Sequence, residues 1–362
     1  MELPRGTALS ERYSSESMCP CCGKMPGRGR LKSWLQGLVG RIPWRCRQCG
    51  NPINRYMVGP GFIGTVLSCP MCNSHSPDDY TVIGYGSQPP GGVEYFAVLR
   101  CLKHGVEFAD ALPPPRDPAS QETSLEGLYG GPNQRLPRYI EFMDQIEEVV
   151  GTAGGALLHD VGCGMGHLLF EARRRGWKVQ GNDIIPGVKR GIEKNGILCL
   201  IGSLSGLSIV PESCRVVTSF CVLPHHLTEP TPDMMAVVRM LRPGGWFVCQ
   251  FPDNGLFRRI GKALYRVLGD SLVSRSIMAN LYGPGGHQFA FTRTNLGQYI
   301  AVCGFAQVIF ESYSAAPKYT LARFGEKPLW YRTAAAIGIY GLKIFSDIFG
   351  IPNHSVVFAR KS

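Results

Sequence analysis

An acid and three alternating glycines follow a short apolar run near the middle of the chain. The run Ala156-Leu157-Leu158 leads into "DVGCGMGH", where Asp160 stands two residues before the first glycine. The glycines are Gly162, Gly164 and Gly166. Such a loop lets the backbone pass close to a ligand, because glycine has no Cβ atom. The dinucleotide fingerprint G-x-G-x-x-G would need a glycine where His167 stands, so a different ligand is expected.

A second acid follows this loop at a distance that suits a nucleoside-binding site. The strand-like stretch "WKVQGND" ends in Asp183, 17 residues beyond Gly166. A carboxylate at this position can accept hydrogen bonds from both ribose hydroxyls of a nucleoside. NAD and S-adenosylmethionine both carry that ribose, but S-adenosylmethionine has no pyrophosphate to seat on a helix N-terminus. The loop therefore favours S-adenosylmethionine, with Asp160 near the cationic end of the cofactor.

Cysteines in C-x-x-C pairs dominate the N-terminal part of the chain. Eight of the fourteen cysteines lie before residue 102. Each pair presents two thiolates from one tight turn, as a tetrahedral zinc ribbon requires, and four protein ligands leave no open position for catalysis. The spacing therefore predicts up to two structural zinc ions, and the alternative is a set of buried or redox-active thiols. The first ligand set is Cys19, Cys22, Cys46 and Cys49, and the second is Cys69, Cys72, Cys101 and His104.

A basic stretch overlaps the first cysteine set. Eight Lys and Arg residues and no acid lie between Gly23 and Arg55. They could bind nucleic-acid phosphates, or they could offset the negative charge of a zinc ion held by four thiolates. The second interpretation is favoured, because residues 1–125 carry 13 Lys and Arg against 10 Asp and Glu before any thiolate is counted. Nucleic acid is therefore an open but unfavoured partner.

Helical and strand-like patterns alternate from residue 136 onward. This alternation is typical of an α/β fold built on a parallel sheet. The stretch "LPPPRDP" before it indicates a linker. The predicted organisation is a disordered tail over 1–17, a zinc-ribbon region over 18–111, a linker over 112–135 and one domain over 136–362 with insertions at 255–285 and 314–353.

Over residues 136–313 the chain resembles the class I S-adenosylmethionine-dependent methyltransferases. The residues that carry the resemblance are "DVGCGMG", Asp183, "GSLSGL", "SFCVLPHH" and "LRPGGWFVCQFPD". The resemblance implies a Rossmann-like seven-stranded sheet whose last strand runs antiparallel, with 308–313 and 354–361 as its final pair. The cysteine pairs that precede this domain are similar to those of a bacterial group with an N-terminal zinc-binding segment, so we expect a small zinc-ribbon domain there.

The resemblance also implies where the adenine should bind and which acceptors are disfavoured. The third strand of the family usually ends in an acid that contacts the adenine amino group, whereas Ser203 stands at that position here. The sequence has no N-P-P-Y or D-P-P-Y motif, which disfavours transfer to a nucleic-acid base or a glutamine amide. A small-molecule acceptor with a reactive hydroxyl fits better.

Three histidines are candidates for a general base. His225 and His226 follow the fourth strand of the domain, and His287 begins the segment "HQFAFT". Histidine suits the removal of a hydroxyl proton near neutral pH. The alternatives are that one of the first two caps the strand, and that positioning alone drives the transfer.

Positive charge is concentrated in the last third of the chain. The net charge is +11, and residues 256–362 carry 13 Lys and Arg against 4 Asp and Glu. This suggests an acidic partner, a phosphorylated substrate or a membrane surface, or else a solvated basic face. The amphipathic segment 328–350 either contacts a membrane peripherally or packs against the sheet. No apolar run reaches the ~18 residues of a membrane span and the N-terminus lacks a signal-peptide core, so a cytoplasmic location is expected.

These features together predict an S-adenosylmethionine-dependent methyltransferase that acts on a small molecule, through O-methylation. Two alternatives stay open. One is an RNA methyltransferase whose zinc ribbons hold the substrate, and the other is a non-catalytic protein that senses or binds the cofactor. Salt-dependent retention of RNA would favour the first alternative. Cofactor binding without any methyl acceptor would favour the second.

Overall fold

The chain divides into two compact units in the computed structural model. Unit 1 comprises Met1–Pro113 and Phe257–Gln288, and unit 2 comprises Pro114–Leu256 and Phe289–Ser362. Most of the predicted insertion 255–285 thus belongs to unit 1. The structure describes residues 44–45, 52–53, 67–86, 96–110, 132–225, 230–253, 255–283, 287–313, parts of 328–344, and 354–362. The predicted tail over 1–17 and the first cysteine set (Cys19, Cys22, Cys46 and Cys49) lie outside the described residues.

The elements are numbered in chain order. The strands are β1 (Trp44–Arg45), β2 (Pro52–Ile53), β3 (Tyr80–Gly86), β4 (Phe96–Cys101), β5 (Glu107–Asp110), β6 (Leu157–Val161), β7 (Lys178–Asp183), β8 (Leu198–Ile201), β9 (Cys214–Phe220), β10 (Leu241–Pro252), β11 (Phe289–Ala290), β12 (Phe305–Tyr313) and β13 (His354–Lys361). The helices are α1 (Pro132–Val150), α2 (His167–Arg174), α3 (Val188–Glu193), α4 (Thr231–Met240), α5 (Gly255–Leu268), α6 (Leu272–Leu281) and α7 (Arg293–Val302).

The first helix starts earlier than the sequence pattern suggested. Helix α1 begins at Pro132, inside the predicted linker over 112–135, whereas the helical pattern was recognised from residue 136. Proline is well tolerated at the start of a helix, because the first N–H groups have no partner within the helix. The predicted boundary missed this first turn because proline is normally taken as a break.

In unit 1, an antiparallel sheet packs against the two helices of the second segment. Strands β3, β4 and β5 lie in the order β5-β4-β3, and α6 packs on β3. The approach is close, since a Cβ atom on Gly84 would lie 2.7 Å from the Cε atom of Met278. The buried Glu107 accepts from Lys262 Nζ at 2.6 Å and from the Tyr282 hydroxyl at 2.5 Å. These bonds tie β5 to α5 and to the residue that follows α6.

Unit 2 is built on a seven-stranded mixed sheet. The strand order is β12-β13-β10-β9-β6-β7-β8, and β13 runs antiparallel to both of its neighbours. The pairs from β10 through β8 are parallel. The predicted final strand pair is confirmed, because Val308 of β12 lies opposite Ala359 of β13. The α/β fold that the alternating pattern predicted is therefore confirmed for this unit, as is the seven-stranded sheet with an antiparallel last strand that the resemblance implied.

The core of unit 2 fixes the carboxyl ends of the parallel strands. Leu158, Val216 and Val248 lie on three neighbouring strands and belong to one buried cluster with residues of α1 and α2. Phe142 of α1 stacks on Phe220 at the end of β9, with ring centroids 4.5 Å apart. The loops that follow β6, β7, β8 and β9 therefore all start from the same well-packed edge of the sheet.

The segment before β13 exposes large apolar side chains. The described residues between 328 and 344 are mostly helical. The exposed residues among them are Leu329, Trp330, Ile337, Tyr340 and Ile344. Among the residues that the structure describes, no helix is long and apolar enough to cross a membrane.

Candidate cofactor and metal sites

The glycine loop after β6 adopts a backbone that requires glycine. Gly162, Gly164 and Gly166 have φ angles of +67°, +51° and +77°, in the left-handed region that other L-residues rarely enter. A Cβ atom on Gly162 would also overlap the side chain of Val222. Gly166 precedes the first residue of α2, so the loop opens directly into that helix. At the end of β6 a ligand would therefore meet the backbone of the loop, with no glycine side chain in the way.

Asp183 at the end of β7 holds this loop in place. One carboxylate oxygen accepts from the Gly164 N–H at 2.9 Å, and the other accepts from the Ile185 N–H at 2.9 Å. Each oxygen has a second lone pair, so the carboxylate can still accept from ribose hydroxyls. Ile184, the residue after Asp183, is apolar and 63% exposed, so it can contact a ligand beside the acid. Asp183 therefore has a loop-shaping role that sequence reasoning did not predict.

Asp160 is buried in the sheet next to this acid. The Thr218 hydroxyl donates to its carboxylate at 2.7 Å. The pKa of Asp160 is raised to about 7: burial raises it most, the Thr218 hydrogen bond lowers it, and the nearby charge of Asp183 raises it. The carboxyl thus changes charge near neutral pH. A cation bound beside it would favour its ionised form.

Ser203 lies on the same sheet edge and has an unexpected partner. Its hydroxyl donates to Asp233 Oδ1 at 2.6 Å, and the Ser205 N–H donates to the same oxygen at 2.8 Å. Asp233 lies in the first turn of α4 and is only 8% exposed. Sequence reasoning missed Asp233, because an acid in the first turn of a helix is already explained by the helix dipole.

The predicted catalytic histidines fall in different parts of the chain. His225 closes a short 3-10 turn after β9, and its Nε2 atom lies 3.5 Å from the Sγ atom of Cys221. Cys221 has a φ angle of +58°, an unfavourable conformation for a residue other than glycine and one that is concentrated at functional sites. His226 lies outside the described residues, and His287 belongs to unit 1.

Gln250 is a second residue that the sequence did not single out. It lies near the carboxyl end of β10, opposite Phe220 and Val356, and it is fully buried. Neither atom of its side-chain amide has a hydrogen-bond partner in the described part of the protein. A glutamine within an apolar strand gives no sequence signal for such a position.

The second predicted metal set comes together in unit 1. The ligand atoms of Cys69, Cys72, Cys101 and His104 all lie within 4.8 Å of one another. The His104 Nδ1 atom is 3.6 Å from Cys69 Sγ and 3.7 Å from Cys101 Sγ, and the sulfur atoms of Cys72 and Cys101 are 3.8 Å apart. A zinc tetrahedron with Zn–S and Zn–N bonds of ~2.3 and ~2.05 Å has edges of about 3.8 Å between sulfurs and about 3.6 Å between sulfur and nitrogen. The four side chains therefore fit zinc.

Local turns present these four ligands. The Asn73 N–H donates to the Cys69 carbonyl at 2.8 Å, and Asn73 has a φ angle of +49°, which closes the first knuckle. The His104 N–H points at Cys101 Sγ at 3.4 Å in the second. The Cys69 N–H donates to the Tyr80 hydroxyl at 2.9 Å, which ties the first knuckle to β3.

Residues 159–249 match a protein family described as a methyltransferase domain. The match lies in unit 2 and runs from within β6 to within β10, so it includes the glycine loop, Asp183 and Ser203. The predicted enzyme class, an S-adenosylmethionine-dependent methyltransferase, is confirmed for this domain. No curated protein matches the chain at a significant level.

Solved structures with a similar fold are distant in sequence. A sarcosine dimethylglycine methyltransferase from Galdieria sulphuraria, so described provisionally, is 16% identical, with 62% of this chain and 86% of that chain covered and a TM-score of 0.42. An S-adenosylmethionine-dependent methyltransferase from Archaeoglobus fulgidus is 14% identical, with coverages of 65% and 97% and a TM-score of 0.43. Phosphoethanolamine N-methyltransferase 2 from Haemonchus contortus is 13% identical, with coverages of 74% and 64% and a TM-score of 0.43. At this distance the likeness does not bear on the acceptor.

Proposed function

We propose that this chain transfers the methyl group of S-adenosylmethionine to a hydroxyl oxygen of a small molecule. The observation that carries the proposal is the convergence of the glycine loop, Asp160 and Asp183 at the carboxyl ends of β6 and β7. The backbone of the loop is open to close contact with a ligand. Asp160 can pair with a cation, and Asp183 can accept hydrogen bonds from a pair of hydroxyls. This combination fits the amino-acid tail and the ribose of S-adenosylmethionine.

Some side chains of the site are assigned to cofactor binding and others to proton transfer. S-adenosylmethionine, when bound, supplies an electrophilic methyl group on a sulfonium. Asp160, when ionised, would pair with the ammonium of its amino-acid tail, and Asp183 would accept from its ribose hydroxyls. His225, with its Nε2 atom at the carboxyl end of β9, is the candidate base for the acceptor hydroxyl. His226 and His287 remain further candidates for the same role, and positioning supplies part of the rate in every case.

Titration calorimetry with S-adenosylhomocysteine tests the cofactor site. Asp183→Ala should weaken binding by about 1.5–3 kcal/mol, since it removes a charged hydrogen-bond acceptor. Asp144→Asn, at an acid whose side chain is 65% exposed on α1, is the control and should bind normally. Equal affinity of Asp183→Ala and the native protein would refute the assignment.

A methyl-transfer assay tests the acceptor class and separates the alternatives. Radiolabelled methyl groups should move from S-adenosylmethionine to phenols or alcohols in a metabolite panel, and not to amines or to RNA. Salt-sensitive labelling of RNA would support the RNA methyltransferase instead. Tight cofactor binding with no labelled product from either panel would support the non-catalytic cofactor sensor.

We also propose that Cys69, Cys72, Cys101 and His104 hold a structural zinc ion. The support is the match between their spacings and the edges of a zinc tetrahedron. Elemental analysis of the native protein should find at least one zinc per chain, or two if the set Cys19, Cys22, Cys46 and Cys49 is also filled. Cys72→Ser should lose one zinc, while Cys303→Ser, at a cysteine outside the set, should keep the native content. Zinc-free native protein would exclude this role.

Peripheral contact with a membrane is a further part of the proposal. The support is the set of exposed apolar side chains between 329 and 344, together with the positive charge of residues 256–362. A cytoplasmic protein would meet an anionic lipid surface there. Trp330→Ser combined with Ile337→Ser should reduce co-sedimentation with phosphatidylglycerol vesicles. Val302→Ser, at another apolar residue that is 74% exposed, should not, and equal binding of all three proteins would exclude the contact.

A further inference from the structure

Ser203 stands beside the acid assigned to the ribose. Asp183 pairs with Ile201 across β7 and β8, and the Gly202 N–H donates to the Asp183 carbonyl at 2.9 Å. The next residue is Ser203, whose side chain is exposed at the sheet edge. A nucleoside whose ribose is bound by Asp183 would have its base near Ile184 and Ser203. The hydrogen-bonding polarity of Ser203 therefore bears on which base fits.

The single proton of the Ser203 hydroxyl is already committed. An ionised carboxylate can only accept hydrogen bonds, so Ser203 must be the donor in its 2.6 Å bond to Asp233. Asp233 is held in place by the Ser205 N–H, at 2.8 Å from the same oxygen. The Ser205 hydroxyl lies 3.2 Å from the Ser203 hydroxyl and must donate in that contact, because Ser203 has no second proton. Ser203 consequently offers solvent a lone pair and no donor.

We infer that Asp233 sets Ser203 as a hydrogen-bond acceptor for the 6-amino group of the cofactor's adenine. A serine without such a partner can rotate its proton and would accept either a donor or an acceptor on the base. Because the Ser203 proton is donated to Asp233, the hydroxyl can only accept a hydrogen bond from the base. Asp233 is thus a positioning residue, which acts on the base through Ser203. It makes Ser203 a hydrogen-bond acceptor, as a carboxylate at the end of this strand would be. This inference rests on the proposed cofactor.

The consequence is selection between adenine and its deaminated form. In hypoxanthine a carbonyl oxygen replaces the 6-amino group, and it would face the lone pair of Ser203. A site built to receive an N–H donor rejects an analogue that lacks it, since the acceptor in the site is left without a partner. The Asp233–Ser203 pair should therefore discriminate against an inosine-containing cofactor.

Calorimetry with two probes tests the inference on the full-length protein. The probes are S-adenosylhomocysteine and S-inosylhomocysteine, its 6-deaminated analogue. The native protein should bind the adenosine form about tenfold or more tightly. In Asp233→Ala, the Ser203 hydroxyl has no fixed acceptor and can turn its proton toward the base, so the ratio should fall to roughly threefold or less. Ser203→Ala, at an exposed side chain, should lower the ratio in the same way even if the Asp233 variant folds poorly.

A matched pair in the same unit serves as the control. The Ser355 hydroxyl donates to Asp253 at 3.2 Å, so Asp253→Ala removes a similar contact elsewhere and should leave the ratio unchanged. A purely structural role of Asp233 would weaken both probes by the same factor and overturn the inference. A native ratio near one, or a native ratio kept in both Asp233→Ala and Ser203→Ala, would overturn it as well. Failure of the native protein to bind S-adenosylhomocysteine at all would instead refute the proposed function.

Discussion

The glycine loop of unit 2 and the Cys3His cluster of unit 1 are both short turns, but different forces hold them together. The loop is fixed by φ angles that glycine allows and by the Asp183 carboxylate, all supplied by the protein. The cluster brings three sulfur atoms and one imidazole nitrogen within 4.8 Å, and these repel one another when the thiols ionise. The proposed zinc ion would offset this repulsion. The comparison implies that removing the metal should cost folding, whereas removing the cofactor should cost only binding.

Metal removal is the change with the largest expected effect. Structural zinc contributes on the order of 10 kcal/mol of folding free energy to small domains, so a strong chelator should unfold unit 1 locally. Hydrogen exchange of the β3 and β4 amides should then become fast, and Cys101→Ser should reproduce this without a chelator. Slow exchange of these amides in metal-free protein would show that the cluster, like the glycine loop, is held together by the protein alone.

Substitution in the glycine loop should have the next largest effect. Gly162→Ala adds a Cβ atom in the left-handed region and against Val222, so it should destabilise unit 2 by about 3 kcal/mol and abolish cofactor binding. Gly154→Ala is a matched control, since its φ angle is +52° and no atom lies within 4 Å of the added Cβ. It should cost about 1 kcal/mol and leave binding intact. Equal unfolding midpoints for the two variants would show that the contact with Val222 is unimportant.

The pH dependence of binding should be the smallest of the three effects. With a pKa of about 7, Asp160 is half protonated at neutral pH in the free protein. A bound ammonium favours the ionised form, so affinity for S-adenosylhomocysteine should rise about tenfold from pH 6 to pH 8. Calorimetry on Asp160→Asn should give a flat profile over the same range. Parallel profiles for the two proteins would show that another group titrates.

The same group makes a separate contribution to stability, of opposite sign. Its pKa is raised in the folded chain from the usual 3.8. Below pH 4 it is protonated in both folded and unfolded chains. Between about pH 4 and pH 7 only the unfolded chain ionises it, so its contribution to the free energy of unfolding falls as the pH rises and levels off above pH 7.

Features that depend on neighbouring residues were predictable from the sequence, and those that depend on distant ones were not. The glycine loop and the knuckles at Cys69 and Cys101 each lie within a few residues, so their spacing alone indicates the turn. The alternation of strands and helices likewise predicted the α/β sheet, whereas its final antiparallel pair was implied by the resemblance to a known family. Asp233 lies 30 residues from Ser203, and no pattern connects the two.

The assignment of the segment after β10 shows the same limit. The predicted insertion at 255–285 forms α5 and α6, and its own sequence does not reveal what these helices pack against. The ion pair between Lys262 and Glu107 joins residues 155 positions apart and could not be read from either stretch alone. The segment therefore looked like an insertion in the domain that surrounds it in sequence, although it clusters with unit 1.

The buried amide of Gln250 lowers the stability of the protein. Two polar atoms that are kept from water and have no partner among the described residues destabilise the fold, by about 1–3 kcal/mol for each unmet group. Leucine fills a similar volume without that penalty. Selection for heat resistance alone should therefore replace this glutamine early in a directed-evolution experiment. Its presence in the chain means that the fold is not at its maximum stability. In a thermostabilised variant, position 250 is the first at which a substitution should be sought.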